Sequence, residues 1–250
     1  MDLRDKRAFV TGGTRGIGRA IAVDLARQGA HVAVNARHDD DEARATLAEI
    51  EAADRLGYFI QGDVGQGEAC EAMIGTAVET MGRMDVLVHS AGGPAPGRVD
   101  QVSVEDWHQA FDVHIHSCFH LCRAAIPVMR EYDEASILLM SSVAGIRGCP
   151  GAITYGTVKA AVLHFTRMLA RDVADDNIRV NCLAPGIIRT RFHEAMTPEQ
   201  QQHNLANRIS LHREGTSEQV AEAARFLICN DFMTGESITI DGGMSMQVVR

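Results

Sequence analysis

Thr11-Gly12-Gly13-Thr14-Arg15-Gly16-Ile17-Gly18 is the stretch that decides how this chain folds. It follows a short apolar run, Ala8-Phe9-Val10. It leads into Ile17-Gly18-Arg19-Ala20-Ile21-Ala22-Val23-Asp24-Leu25-Ala26, where apolar residues recur at helical spacing until Gly29 supplies a natural stop. The reading is strand, glycine turn, helix. A strand ending at Thr11 and a helix starting near Gly16 aim unpaired backbone N–H groups and the positive helix end at one spot, where a pyrophosphate fits. Gly12, Thr14, Arg15, Gly16, Ile17 and Gly18 are the candidates for that contact. The spacing is G-x-x-x-G-x-G, not the commoner G-x-G-x-x-G, and taken alone it also suits a plain connector. Its position after the first strand favours a dinucleotide.

Working outward, apolar and β-branched runs return at His31 to Ala36, Tyr58 to Gln61, Met84 to His89, Ser136 to Met140, Ile178 to Leu183 and Ser237 to Ile240, with longer helical patterns between them. Such alternation requires crossover connections. It predicts an α/β fold: a doubly wound, mostly parallel seven-stranded sheet with helices on both faces. At 250 residues and 46% hydrophobic content one large core suffices, so a single domain over 1–250 is expected. Neither Gly92-Gly93-Pro94-Ala95-Pro96-Gly97 nor the acidic turn Asp39-Asp40-Asp41-Glu42 reads as a boundary. Residues 189–215 are long, polar and rich in Gln and His, and a substrate lid is favoured there over a plain surface excursion.

A formal net charge of -9 argues against nucleic acid or an anionic membrane as partner and for a small molecule. The start, Met1-Asp2-Leu3-Arg4-Asp5-Lys6-Arg7, lacks the apolar region and cleavage site of a signal peptide, and no apolar run is long enough to span a bilayer. Six cysteines without a CxxC pair read as reduced, small hydrophobes, so a cytoplasmic location is expected.

An acidic residue at the end of the second strand would hold a ribose 2′-hydroxyl, but the chain has Asn35-Ala36-Arg37 there. Arg37 and Arg15 can instead flank a 2′-phosphate, because a guanidinium is a planar, permanently charged fork. NADP(H) is therefore preferred, with NAD(H) kept open. The competing reading of Arg37 is a solvated charge facing Asp39 to Asp41.

Tyr155 and Lys159 lie four apart at the start of a helical pattern, so both project from one face. A neighbouring ammonium, helped by an oxidised nicotinamide, is expected to lower the phenol's pKa from its usual value near 10. Ser142 ends the run Ser136-Ile137-Leu138-Leu139-Met140-Ser141-Ser142 and can polarise a substrate oxygen, whereas alternation turns Ser141 away.

From about Lys6 to Gly243 the chain resembles a short-chain dehydrogenase/reductase of the compact, Rossmann-like kind. The resemblance implies that Tyr155 protonates a carbonyl oxygen as NAD(P)H delivers hydride, that Lys159 holds the nicotinamide ribose and assists the tyrosine, and that Ser142 orients the substrate. It further assigns Asp63-Val64 to adenine, Ser90-Ala91-Gly92 to the turn beneath the cofactor, and Pro185-Gly186-Ile187-Ile188-Arg189-Thr190 to the nicotinamide side. Pro185, Gly186, Ile188 and Thr190 are the contacts expected in that last segment, while Asp63 also suits an ordinary strand-end turn. A homotetramer is implied through helices around Trp107 to Arg130 and Thr154 to Arg171.

Two departures stand out. His89 and Ser90 replace two asparagines, which is expected to weaken the tie between central strands. His114 replaces the asparagine that commonly positions a relay water, and is either a proton relay through an imidazole titrating near neutrality or a packing histidine. His116 and His120, near Cys118 and Cys122, have metal-ligand spacing without a completing carboxylate and are read as metal-free.

The expected activity is an NADP(H)-dependent oxidoreductase interconverting a ketone and a secondary alcohol on a small polar molecule such as a sugar, polyol or hydroxy acid. The polar lid motivates that substrate. The alternative is a 3-oxoacyl-thioester reductase, disfavoured for carrier-bound substrates because Asp133 and Asp176 stand where basic docking residues align. The third reading is a catalytically silent NADP(H)-binding sensor, against which Ser142, Tyr155 and Lys159 all argue.

Overall fold

The computed structural model describes residues 1–191 and 196–246. Seven strands, β1 (Arg7–Thr11), β2 (His31–Ala36), β3 (Gly57–Gln61), β4 (Val86–His89), β5 (Ala135–Met140), β6 (Ile178–Pro185) and β7 (Ser237–Ile240), form one sheet in the order β3-β2-β1-β4-β5-β6-β7. Every pairing is parallel, so the expected mostly parallel sheet is wholly so. The helices are α1 (Gly16–Arg27), α2 (Asp41–Glu51), α3 (Gly67–Met81), α4 (Val104–Phe111), α5 (Ser117–Met129), α6 (Ile153–Asp172), α7 (Pro198–His203) and α8 (Ser217–Cys229).

The strands are apolar on both faces because both faces are covered. Ala8 and Val10 of β1 join the core containing Ile21 and Leu25 of α1 and Leu227 of α8, whereas Phe9 between them joins the core with Ile74 of α3, Leu121 of α5 and Val162 of α6. In β5, Leu138 faces the first core, while Ile137 and Leu139 face the second. This is the period-two alternation of strand side chains, and each fully buried Leu or Ile contributes roughly 1.5–3 kcal/mol.

From β1 the chain runs outward through β2 and β3, then returns to place β4 on β1's other side. The reversal opens a crevice at the carboxyl ends of β1 and β4. The acidic turn is a helix start: the Asp40 carboxylate caps α2 by accepting the Ala43 N–H at 3.0 Å, with Asp41 and Glu42 in the first turn. By contrast, α1 has no side-chain cap, so its first N–H groups remain open toward the crevice.

The expected lid at 189–215 is structured where it is described; 192–195 lie outside the described residues. Helix α7, with a capping box between Thr197 and Gln200, runs into a π-helical turn, Asn204–Arg208. Ile188 bridges to Gly215, and Glu214 lies 3.2 Å from Arg189 Nε while accepting Gln201 Nε2 at 3.1 Å. The segment's polarity is divided between solvent and the crevice, which Asn204 and Arg208 border. Gln200, Gln201, Gln202 and His203 are exposed, while Met196, Leu205 and Ile209 pack with Val143, Ile187 and Met244. The cause is amphipathicity: one face of a short helix must meet the protein and the other water.

Among the described residues no helix is long and apolar enough to cross a membrane, and all six cysteines are free thiols.

Candidate active site

One cleft of about 1660 Å³ lies at the carboxyl ends of the strands, larger than the ~300–1,000 Å³ of a pocket for one small ligand. Every residue named from the sequence for catalysis or cofactor contact borders it. Gly12, with φ +62°, passes so close to the loop after β4 that a Cβ would lie 2.7 Å from Ala91 Cα. A Cβ on Gly18 would run into the Gly12 carbonyl group, its carbon only 2.8 Å away. These glycines let the α1 N-terminus sit directly on the turn, and the Thr14 Oγ1 there is buried without a hydrogen-bond partner. An uncapped helix end, backbone too tight for side chains and an orphaned hydroxyl together fit a pyrophosphate.

At the end of β2, Asn35 is buried and its amide donates to the carbonyls of Ile60 at 3.0 Å and Gly62 at 3.1 Å, which ties β2 to β3. The next exposed side chain, Arg37, has no partner among the described residues; only its carbonyl is bonded, by Gln61 Nε2. The acidic run does not claim it, since Asp39 and Asp41 pair with Arg44. Arg15 lies 3.6 Å from Glu42, which also binds Arg191 at 3.1 Å. Of the two arginines expected to flank a 2′-phosphate, Arg37 is the uncommitted one. Asp63 serves its own turn by accepting the Gly65 N–H at 2.9 Å, and still borders the cleft with Val64.

Strand β5 stops at Met140, two residues before Ser142. Ser142 instead caps a short 3-10 turn, Val143–Gly145, accepting the Ala144 N–H at 3.2 Å. Ser141 turns away as alternation requires and donates to the Lys159 carbonyl at 2.7 Å. Tyr155 and Lys159 lie on successive turns of α6, and the Tyr155 hydroxyl is hydrogen-bonded to Ser142. Lys159 is buried, with Nζ 5.6 Å from the Tyr155 ring centre and donating to the Met140 carbonyl at 2.8 Å.

Lys159 by itself does not acidify the phenol. Burial around the hydroxyl pushes the Tyr155 pKa up to about 12, opposed by the Ser142 hydrogen bond. Burial likewise brings Lys159 down to about 8. Desolvation penalises both charged forms, and the ammonium is engaged with Met140 O rather than with the phenol.

His89 does not weaken the turn as expected. Ser117 Oγ donates to the Val113 carbonyl at 2.7 Å, so it accepts from His89 Nε2 at 2.8 Å. His89 Nδ1 then accepts from Thr11 Oγ1 at 2.7 Å, and Thr11 Oγ1 accepts the Ala91 N–H at 3.3 Å. One imidazole thus ties β1, β4 and α5, and burial takes its pKa down to about 3.

His114 sits in the π-helical turn Asp112–His116 between α4 and α5, edge-on to Tyr155 with ring centres 5.7 Å apart. Its Nε2–H donates to the Gly93 carbonyl at 3.0 Å, and its Nδ1 is buried without a partner. Burial lowers its pKa to about 2, which removes the expected relay through an imidazole titrating near neutrality. His116 and His120 face separate carboxylates, Asp112 at 2.8 Å and Glu71 at 3.1 Å. Among the described residues no group of three or more His, Cys, Asp or Glu could hold a metal.

Because His114 stays neutral in the fold while the unfolded chain takes up its proton near the ordinary 6.5, stability is present above that pH and lost as pH falls below it. The loss is about 1.4 kcal/mol per pH unit for each such group. Melting curves between about pH 7 and about pH 5 should therefore fall less steeply for His114→Asn than for the native chain. Parallel curves would show that the buried ring contributes nothing to acid lability.

Asn204, Arg208, Met196, Thr154 and Cys149 also border the cleft, and sequence reasoning missed them. Asn204 and Arg208 carried a readable signal, polar residues four apart within the lid. The Met140 carbonyl carried none, since a backbone acceptor has no residue-type signature.

A family description, "Enoyl-(Acyl carrier protein) reductase", matches residues 12–245. The 3-oxoacyl-(acyl-carrier-protein) reductase FabG of Staphylococcus aureus is 35% identical over 243 residues, covering 96% of this chain and 98% of its own. Among solved structures, a blue fluorescent protein from a metagenomic library, in complex with NADPH, superposes with TM-score 0.91 at 32% identity, covering 98% of this chain and 99% of that one. A 7α-hydroxysteroid dehydrogenase complexed with NADH and 7-oxo glycochenodeoxycholic acid gives TM-score 0.91 at 32% identity, covering 97% and 96%. Fold, site and relatives agree on the class, an oxidoreductase acting between CH–OH and C=O with a nicotinamide dinucleotide. The chain belongs to the short-chain dehydrogenase/reductase family.

Proposed function

We propose that this chain is an NADP(H)-dependent oxidoreductase that interconverts a ketone and a secondary alcohol on a small polar substrate. The observation that carries the reading is the hydrogen-bonded Ser142–Tyr155 pair beside buried Lys159, in the cleft that also holds the glycine turn. When bound, the nicotinamide supplies or takes up the hydride. The glycine turn and the α1 N-terminus hold the pyrophosphate, Asp63-Val64 the adenine, Ser90-Ala91-Gly92 the floor, and Pro185 to Thr190 the nicotinamide side.

Burial keeps the Tyr155 hydroxyl protonated at neutral pH, so it is ready to give its proton to a carbonyl oxygen during reduction. Ser142 Oγ accepts the Ala144 N–H and is hydrogen-bonded to the Tyr155 hydroxyl, and its own proton is available to the same oxygen once a carbonyl enters. The Pro185 carbonyl, at 3.5 Å, is a weak competitor. Lys159 uses one N–H on Met140 O and has two more to offer, to a ribose hydroxyl and toward Tyr155.

The NADP(H) preference rests on Arg37. Losing a charge-assisted contact of about 1.5–3 kcal/mol should raise the Michaelis constant for NADPH about 10- to 100-fold in Arg37→Asp, with NADH used better than before. Steady-state kinetics with both cofactors checks this, and an unchanged NADPH preference would remove Arg37 from the site.

The FabG relative favours a second reading, reduction of a 3-oxoacyl thioester. Of the two acids expected to repel an acidic carrier, Asp133 is exposed, but Asp176 is neutralised by Arg130 at 2.7 Å, so the repulsion is weaker than the sequence implied. A panel of ketones, alcohols and acetoacetyl thioesters followed by NADPH absorbance separates the readings. Thioesters ahead of small ketones reverse the order, and tight NADPH binding without any turnover favours the silent sensor. We also take the chain as a cytoplasmic homotetramer, with Phe119 and Met168, half exposed on α5 and α6, as apolar surface for subunit contact.

A further inference from the structure

Among the described residues of the lid, Arg208 borders the cleft without an ion-pair partner. Arg208 closes the π-helical turn, is partly buried and borders the cleft. Buried Asn204 holds it: Asn204 Oδ1 accepts from Arg208 Nη1 at 2.9 Å, while Asn204 Nδ2 is fixed on Met196 Sδ at 3.3 Å. The rest of the guanidinium fork has no partner among the described residues. Ile209, the next residue, belongs to the same small apolar cluster as Val143, which directly follows Ser142, so the turn that carries Arg208 is anchored to the segment that carries the serine.

Four other arginines along the cleft are neutralised: Arg15 and Arg191 by Glu42, Arg189 by Glu214, Arg225 by Asp24. Arg208 is not. Glu199 shares a small recess with it without pairing, and Asp106 accepts the Ser103 hydroxyl at 2.8 Å. A partly buried guanidinium with donors to spare is completed by an anion, and a chain of net charge -9 otherwise repels anions. Resting on the oxidoreductase reading, we propose that Arg208 binds an anionic group, carboxylate or phosphate, on the ketone or alcohol that reacts at Tyr155.

The test compares kcat/KM for acetoacetate against methyl acetoacetate, and for dihydroxyacetone phosphate against dihydroxyacetone, with NADPH. One anion should be favoured over its neutral counterpart by the native enzyme, and which pair shows it distinguishes carboxylate from phosphate. In Arg208→Ala the anion-to-neutral ratio should fall about tenfold or more, and Arg208→Lys, which keeps the charge without the fork, should recover part of it. Circular dichroism melts check that both variants fold. No anion preference in the native enzyme, or an unchanged ratio in Arg208→Ala, overturns the proposal while leaving the oxidoreductase reading intact. A weaker NADPH affinity with an unchanged ratio also overturns it, because Arg208 then serves the cofactor. If no ketone turns over, calorimetry of acetoacetate and of dihydroxyacetone phosphate with the enzyme–NADP⁺ complex decides. Binding lost in Arg208→Ala keeps the anion site and sinks the oxidoreductase reading, and no Arg208-dependent binding sinks the site.

Discussion

Tyr155→Phe is expected to lower kcat for ketone reduction by about 10²–10⁴-fold, the usual contribution of a positioned general acid. The NADPH dissociation constant, read by fluorescence titration, should move only a few-fold, because the phenol ring and its packing against His114 remain. The sign of the pH dependence follows from burial. A phenol with its pKa near 12 is protonated throughout the neutral range, so it is poised to donate, and reduction needs no prior ionisation. Alcohol oxidation must first remove that proton, so its rate should climb with pH. Lys159, brought down to about 8, loses its charge in mild alkali, and reduction should decline there as the ammonium's help to Tyr155 disappears. A phenylalanine enzyme with native kcat would end the assignment of Tyr155 as the acid.

Gly18→Ala should produce the other large effect, on binding rather than chemistry. The added methyl would meet the Gly12 carbonyl, a backbone group that cannot rotate aside, so either α1 or the glycine turn must shift. Overpacking of this kind costs about 1–3 kcal/mol, or about 5- to 150-fold in NADPH affinity if the whole penalty falls on the bound turn. Gly13 in the same turn is also constrained: a methyl there would lie 2.8 Å from the Val10 carbonyl oxygen and 2.8 Å from the buried Val34 side chain. Native NADPH affinity in Gly18→Ala would mean that the cofactor does not depend on how closely α1 approaches the turn.

Much of the fold was legible because its determinants are local. Alternating strand and helix periods require crossovers, and crossovers with helices force parallel strands covered on both faces, as Phe9 between Ala8 and Val10 illustrates. The spacing of Tyr155 and Lys159 on one helix, and the opposite facing of Ser141 and Ser142, were legible for the same reason. His89 was misread because its value lies in two partners from elsewhere in the chain, Thr11 and Ser117. Which of the lid's polar residues reach the cleft was not legible, because composition does not say which face of a short helix meets water.

Sequence by itself determined the architecture and the chemical groups available, since periodicity and side-chain identity are properties of neighbouring residues. Tertiary structure alone decided their protonation and their commitments. The phenol and the His114 ring are kept neutral by burial, Lys159 is bonded to Met140, and Arg15 is claimed by Glu42 while Arg37 and Arg208 are left without an ion pair among the described residues. Desolvation and ion pairing depend on what surrounds a group in space, and in this chain those surroundings come from residues distant in sequence.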